Sequence, residues 1–209
     1  MKSIPALLFG IYLAAVAGRA GVITLDAVNS GWYVEIGFSD GTVDNIAQTA
    51  SHDGHVFRNW LGFDLSSVTD TITGATLEVA SDPRNDGGQT VSWWDVTTPY
   101  ANLGTNSVAI FDDLGSGILF ATGGHTPGVV NSYTFNDAAL TSLNATYSFW
   151  AIGGSNNGGA AFGYTQGVGS GDHLRLVLTT SSPVPDDGST LALSGLAFGL
   201  LAWARRKLG

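Results

Sequence analysis

Cysteine is absent from this chain of 209 residues. Its absence excludes disulfide bonds, thiolate metal sites and cysteine nucleophiles, so stability must come from a buried apolar core. Lysine is absent between residues 3 and 206. Within residues 21–181 the basic side chains other than histidine are Arg58, Arg84 and Arg175, against fifteen acidic residues. Such a surface repels phosphate backbones, so we expect no binding of nucleic acid.

The motifs of common enzyme classes are scarce. The chain contains neither an H-E-x-x-H zinc motif nor a phosphate-binding loop. Glu35 and Glu78 are its only glutamates, and no pair of carboxylates is singled out for the acid and base roles of glycoside hydrolysis. We therefore predict a non-catalytic protein that needs no cofactor.

The body of the chain, residues 21–181, has the pattern of short β-strands. Runs of β-branched and aromatic residues alternate with clusters of glycine, asparagine, aspartate and serine that predict turns. Strands are predicted at Val22–Ala27, Trp32–Ile36, Asn59–Leu65, Thr73–Ala80, Thr90–Val96, Val108–Phe111, Ile118–Thr122, Val129–Phe135, Tyr147–Gly153, Ala160–Tyr164 and His173–Thr179. One short helix is predicted after Asn136 or Asp137, either of which can serve as its N-cap. Many short strands predict an all-β domain, a sandwich or a barrel.

The first twenty residues have the pattern of a secretory signal peptide. A basic start, Met1-Lys2, precedes the mostly apolar stretch Ile4–Val16. Small residues after this stretch suit cleavage by signal peptidase near residue 17 or 20. We therefore exclude residues 1–20 from the predicted domain and expect the protein to be exported.

The C-terminal end combines three features. A proline-containing acidic motif comes first, an uncharged run follows at Thr190–Ala204, and a basic cluster comes last at Arg205, Arg206 and Lys207. A helix over the 15 uncharged residues is about 22 Å long, a marginal span of a hydrocarbon core of about 30 Å. The basic end would stay on the cytoplasmic side, with the body of the chain outside. The motif consists of Val184, Pro185, Asp186, Asp187 and Gly188.

This arrangement resembles the C-terminal sorting signals of the PEP-CTERM class, in the variant with a VPDSG motif. The chain has Asp187 where that variant usually has serine. The resemblance implies that residues 182–209 form a sorting signal of motif, transmembrane helix and basic tail, and that an exosortase processes it. A plain C-terminal membrane anchor, or a last apolar helix of the fold, is the alternative.

A pair of segments in the body resembles a known kind of ectodomain. Phe57–Ser66 alternates between two faces, and Ile72–Val79 follows after one turn. This pair resembles the strand pair of extracellular jelly-roll modules of the DNRLRE and related carbohydrate-binding type. The resemblance implies a jelly-roll-like β-sandwich over residues 21–181, which is a fold rather than an activity. For Arg58 and Asp64 we expect a structural ion pair with neighbouring strands, and a ligand-contacting Arg58 is the alternative.

Two consecutive tryptophans, Trp93 and Trp94, are the candidate ligand-binding residues. Successive side chains of a strand point to opposite faces, so one of the two should be less buried than the other. An exposed indole can stack on a sugar ring, whereas the alternative for both is to fill the core.

Oxygen-rich turns suggest a second kind of site. Asp82, Asn85 and Asp86 occupy one such turn, and carboxylate and amide oxygens are the ligands that Ca²⁺ prefers. A structural calcium site is therefore one hypothesis, and ordinary turn formation by Asp and Asn is the alternative. His52 and His55 make no zinc site by themselves, because such a site needs three or four ligands.

Together these patterns predict an exported bacterial protein of the cell surface or extracellular matrix, held at first in the membrane. Its expected partners are signal peptidase, an exosortase and the membrane, and its domain should have a structural or interaction role. The alternative is a carbohydrate-binding module that recognises exopolysaccharide through an exposed tryptophan. A polysaccharide-active enzyme is the least favoured hypothesis.

Overall fold

The structure is a computed structural model that describes residues 20–41, 54–81, 83, 87–146, 148–158 and 174–181. In these residues the chain forms nine strands, a 3-10 turn at Tyr100–Asn102, and the helices α1 (Val108–Asp113) and α2 (Asp137–Asn144). The strands are β1 Ala20–Asp26, β2 Asn29–Val34, β3 Phe57–Asp64, β4 Thr71–Ala80, β5 Thr90–Asp95, β6 Leu119–Gly124, β7 Val130–Thr134, β8 Phe149–Asn156 and β9 Leu174–Ser181.

The strands form two antiparallel sheets. The four-stranded sheet has the order β1-β9-β4-β7, and the five-stranded sheet has the order β2-β3-β8-β5-β6. Side chains from both sheets meet in one buried cluster, so the sheets face each other. The predicted all-β sandwich is therefore confirmed.

The main core lies between the two sheets. Leu61 and Phe63 of β3 and Ile152 of β8 meet Leu77 of β4 and Leu176 of β9, and all five side chains are fully buried. Each contributes roughly 1.5–3 kcal/mol through removal of apolar surface from water. The alternation of β3 places its odd-numbered residues on this inner face of the five-stranded sheet.

A second core lies on the opposite, outer face of the five-stranded sheet. Residues 96–118, here called the cover segment, lie across that face. The cluster consists of Tyr33, Trp60, Leu103, Ile110, Phe111 and Leu114, with Val96, Tyr100 and Ala151 packed against it. The outer face of β3 is thus partly buried as well, because Trp60 lies under the cover segment.

The prediction of a strand at Val108–Phe111 is wrong, because these residues begin helix α1. Ser107 caps the helix in an extended conformation, and its Oγ accepts a hydrogen bond from the N–H of Ile110 (3.4 Å). Ile110, Phe111 and Leu114 then recur with the helical period and face the second core. The β-branched residues of this segment favour a strand by propensity, so the helical period was missed.

The helix predicted after Asn136 or Asp137 is confirmed as α2. Asn136 is the N-cap, and its Oδ1 accepts from the N–H of Ala139 (3.1 Å). Leu143 and Ala139 of the helix are buried in the main core. The strand predicted at Ala160–Tyr164 lies outside the described residues.

The two ends of the compact unit Ala20–Ser181 are paired with each other. Ala20 of β1 lies opposite Ser181 of β9 in the antiparallel register. The predicted signal peptide before Ala20 and the predicted sorting signal at residues 182–209 lie outside the described residues. In the part of the chain that the structure describes, no helix is both long enough and apolar enough to cross a membrane.

Candidate functional site

The two consecutive tryptophans of β5 have different environments. Trp93 is 0 % exposed and packs in the main core, with its ring centroid 5.5 Å from that of Tyr133. Trp94 points to the outer face, is half-buried, and donates from Nε1 to the Oγ of Ser155 (2.8 Å). A fully buried ring offers no face to a sugar, so Trp94 is the one candidate of the pair that a ligand can reach.

Hydroxyl groups line the outer face beside Trp94. Ser92 of β5 lies between Thr122 of β6 and Ser155 of β8 in the sheet register. The Oγ of Ser92 and the Oγ1 of Thr122 are 3.5 Å apart. These three side chains, the hydroxyl row, give the face around Trp94 uncharged donors and acceptors. The arrangement suits a neutral polar ligand, whose binding at Trp94 stays a prediction.

The cover segment is tied to β2 and its following turn by three hydrogen bonds. The N–H of Gly104 donates to the Tyr33 hydroxyl (2.7 Å), and the N–H of Ser107 donates to the carbonyl of Gly37 (2.7 Å). The N–H of Ser39 donates to Oδ1 of Asn106 (2.9 Å). These contacts hold the start of α1 over the edge of the sheet.

Arg58 ties the end of helix α1 to β3. Its Nη1 donates to the carbonyls of Phe111 (2.8 Å) and Asp112 (3.1 Å), and its guanidinium lies 4.2 Å from the centroid of the Phe111 ring. Burial lowers the pKa of Arg58, and the nearby Asp112 opposes that shift. A cation at a helix C-terminus is stabilised by the unpaired carbonyls there.

Asp64, on the same strand face as Arg58, has a different partner. It accepts from the N–H of Ser66 (2.9 Å), and this hydrogen bond lowers its pKa. Arg58 therefore contacts the end of a helix and Asp64 contacts a turn, rather than each other. The prediction of a strand at residues 108–111 could not indicate that a helix lies over β3.

A cleft that was not predicted from the sequence lies where the cover segment approaches β8. The cleft has a volume of about 260 Å³ and is lined by Thr97, Thr98, Tyr100, Ser142, Thr146 and Phe149, among others. Tyr100 stacks on Phe149, with ring centroids 4.6 Å apart and planes at 8°. No local sequence signal joins Tyr100 to Phe149, because they meet only after the sandwich has formed.

The stretch Gly37–Gly41 has the G-x-S-x-G spacing of hydrolase nucleophile elbows. Ser39 is buried, and its Oγ accepts from the N–H of Gly41 (3.0 Å). Ser39 itself forms an isolated antiparallel bridge with Tyr33. Ser39 therefore lacks the exposure that such a nucleophile requires.

The candidate calcium ligands Asp82, Asn85 and Asp86 lie outside the described residues. In the described parts of the chain, no group of three or more His, Asp or Glu side chains is placed to hold a metal ion. His55 instead pairs with Glu35, with 2.7 Å between Nδ1 and Oε1, and this hydrogen bond lowers the pKa of Glu35.

Comparison with known proteins addresses the other end of the chain. Residues 183–208 match the family model described as the VPDSG-CTERM motif. This match supports a sorting signal of the PEP-CTERM type and suggests an exported, cell-envelope-associated protein that an exosortase targets. No curated protein matches the chain.

Proposed function

We propose that this protein is an exported surface or extracellular-matrix protein whose domain has a structural or interaction role. A signal peptide at residues 1–20 directs export, and residues 182–209 hold the precursor in the membrane until an exosortase processes it. The observation that carries the proposal is the match of residues 183–208 to the VPDSG-CTERM motif. That segment begins two residues after β9 ends at Ser181.

In this proposal the domain is a jelly roll. Its support is the strand order, in which β1-β9-β4-β7 faces β3-β8-β5-β6, with β2 added at the edge beside β3. Most consecutive strands therefore lie in opposite sheets, as in a double Greek-key sandwich. Such sandwiches host many activities, so the order supports the fold and leaves the role to the surface.

A non-catalytic role is supported by the structural hydrogen bonds that the partly buried charged groups make. Arg58 holds the end of α1. Both oxygens of Asp113 are occupied by Thr97 and Thr98, with the shortest contact, from Thr97 Oγ1, at 2.7 Å. Groups committed to the cover segment in this way stabilise the fold rather than face a substrate.

The sorting proposal is tested in the native host by replacing Pro185, Asp186 and Asp187 with alanine. We expect the variant to accumulate in the membrane at full length, while the wild-type protein is shortened and released to the surface. A variant with Asp137 and Thr141 replaced by alanine, on an exposed part of α2, is the control for a general effect of substitution. Normal maturation of the motif variant would refute the proposal.

The second candidate function is carbohydrate binding, favoured by the half-exposed Trp94 beside the hydroxyl row. We expect the full chain in detergent to bind its host's exopolysaccharide, and Trp94→Ala to weaken that binding strongly. Trp32→Ala, which removes another half-buried tryptophan, is the matched control and should leave affinity unchanged. Measurements with calcium and with a chelator test whether the metal contributes. Equal affinities for wild type and Trp94→Ala would exclude this site.

A further inference from the structure

The cleft beside Phe149 has the features of a second binding site, separate from Trp94. Strand β8 alternates, so Trp150 points into the main core while Phe149 points to the outer face. The Phe149 side chain is 47 % exposed, although it is large and apolar. The structure thus keeps an aromatic ring half open at the rim of a cleft.

The ring of Phe149 is held in place from one side. Tyr100 stacks on it in near-parallel geometry, and Trp60 packs nearly perpendicular to Tyr100 with centroids 6.2 Å apart. Gly62 leaves the room for this arrangement, because a Cβ there would collide with the Tyr100 ring. A pre-oriented aromatic face loses little conformational freedom when a ligand stacks on it.

Three residues that line the cleft carry hydroxyl groups that the protein orients. The Ser142 hydroxyl accepts from Nε1 of Trp150 (3.0 Å), and the Tyr100 hydroxyl accepts from Nδ2 of Asn29 (2.8 Å). Each of these two groups keeps its own proton for donation. Thr146 instead donates from Oγ1 to the carbonyl of Ser142 (3.0 Å), which leaves its lone pairs to accept.

The charge and size of the cleft restrict the ligand. None of the described residues that line it is charged, although the domain as a whole is strongly acidic. A volume of about 260 Å³ is just below the roughly 300–1,000 Å³ of ligand pockets, which suits one ring rather than a long chain. A pyranose presents an apolar face to an aromatic ring and hydroxyls at its edge.

We propose that this cleft binds a single neutral hexopyranose unit, with Phe149 as the stacking face and Ser142, Thr146 and Tyr100 as hydrogen-bonding partners. The inference deepens the carbohydrate-binding candidate and rests on it, but it assigns a site other than Trp94. A uronic acid should bind more weakly, because no described cation lines the cleft to pair with its carboxylate.

Two indole N–H groups allow the two sites to be observed separately. Nε1 of Trp150 donates into the cleft, to Ser142, whereas Nε1 of Trp94 donates to Ser155 in the hydroxyl row. The experiment records the indole NMR signals of the ¹⁵N-labelled full chain in detergent during titration with methyl glucoside, methyl galactoside, methyl mannoside and glucuronate. We expect the Trp150 signal to shift saturably with at least one neutral glycoside and less with glucuronate.

Variants at Phe149 test the stacking role. Phe149→Leu keeps an apolar side chain but loses the flat face, so we expect about tenfold weaker binding; Phe149→Tyr should bind as wild type. Phe38→Leu is the matched control, since Phe38 is 51 % exposed but lies outside the cleft. The indole spectrum without sugar shows for each variant whether it is folded.

The outcomes separate this inference from the function on which it rests. A shift of the Trp94 signal alone would overturn the cleft and leave carbohydrate binding standing. No shift of either signal, together with no binding of exopolysaccharide, would overturn both. An undiminished Trp150 shift in Phe149→Leu would also overturn the proposal, because the stacking face would then carry no binding.

Discussion

The two faces of the five-stranded sheet are buried in different ways. The inner face meets a second sheet, and its core is built by regular alternation along β3, β8, β4 and β9. The outer face meets the irregular cover segment, which depends on backbone hydrogen bonds, the Arg58 contact and close approach at glycines. The inner core should therefore be sensitive to lost volume, and the outer core to added volume and lost polar contacts.

The largest expected effect separates the neighbours Trp93 and Trp94. Trp93→Ala removes a fully buried ring from the main core and should lower the free energy of unfolding by about 3–5 kcal/mol. Trp94→Ala removes a half-buried ring and its hydrogen bond to Ser155, so we expect a loss of roughly 1–2 kcal/mol. Guanidinium unfolding of both variants measures the difference, and equal losses would contradict the contrast between the faces.

The next effect concerns added volume under the cover segment. A Cβ on Gly153 would lie 2.5 Å from the carbonyl oxygen and 2.6 Å from the Cα of Leu114. Gly153→Ala should therefore cost about 1–3 kcal/mol of unfolding free energy and speed amide hydrogen exchange in residues 107–115. Gly124→Ala is the matched control, because no atom lies within 4 Å of its Cβ position. Equal protection of residues 107–115 in both variants would show that the cover segment tolerates displacement.

A smaller effect is expected when the polar contact at the end of α1 is lost. Arg58→Ala leaves the carbonyls of Phe111 and Asp112 without their donor, which should cost about 1–2 kcal/mol. Arg175→Ala removes the same charge from an exposed pair with Asp26 and should cost about 0.5 kcal/mol or less. Thermal unfolding of the two variants measures these losses. A larger loss of stability for Arg175→Ala than for Arg58→Ala would contradict the prediction.

The smallest effect is a pH dependence at the edge of the outer face. Burial raises the pKa of Asp40 to about 6, against an ordinary value of 3.8. Its Oδ1 accepts from the N–H of Trp32 (3.0 Å), whereas its Oδ2 is buried without a hydrogen-bond partner in the described structure. The folded state therefore favours the protonated carboxyl, and stability should fall as pH rises from about 4 to about 6.

Asp40→Asn should remove this slope and raise stability at neutral pH by the order of 1 kcal/mol, after allowance for solvent screening. Asp64 and Glu35 act in the opposite direction, since hydrogen bonds lower their pKa values and their contributions are lost only at more acidic pH. Unfolding free energies of both proteins between pH 4 and pH 7 measure the difference. Parallel curves would mean that Asp40 does not titrate in this range.

Local sequence patterns were sufficient to predict most strands of the sandwich, but they were insufficient to predict the helix of the cover segment. Strands such as β3 and β4 were predictable because the alternation of their side chains reflects burial against one partner sheet. Helix α1 was missed because Val108 and Ile110 favour strands by composition, while Ser107 and the period of Ile110, Phe111 and Leu114 decide for a helix. The candidate calcium turn lies outside the described residues and stays a prediction.

The sequence by itself determined the all-β class and the C-terminal signal, because both depend on short-range patterns of side chains. It also determined that Trp93 and Trp94 point to opposite faces, but not which of them is buried, since a shift of one residue in register exchanges the faces. Only the tertiary structure decided that question, and it alone brought Arg58 to Phe111 and Tyr100 to Phe149. These contacts join residues about fifty positions apart, and they form only where the paired strands have already fixed the geometry.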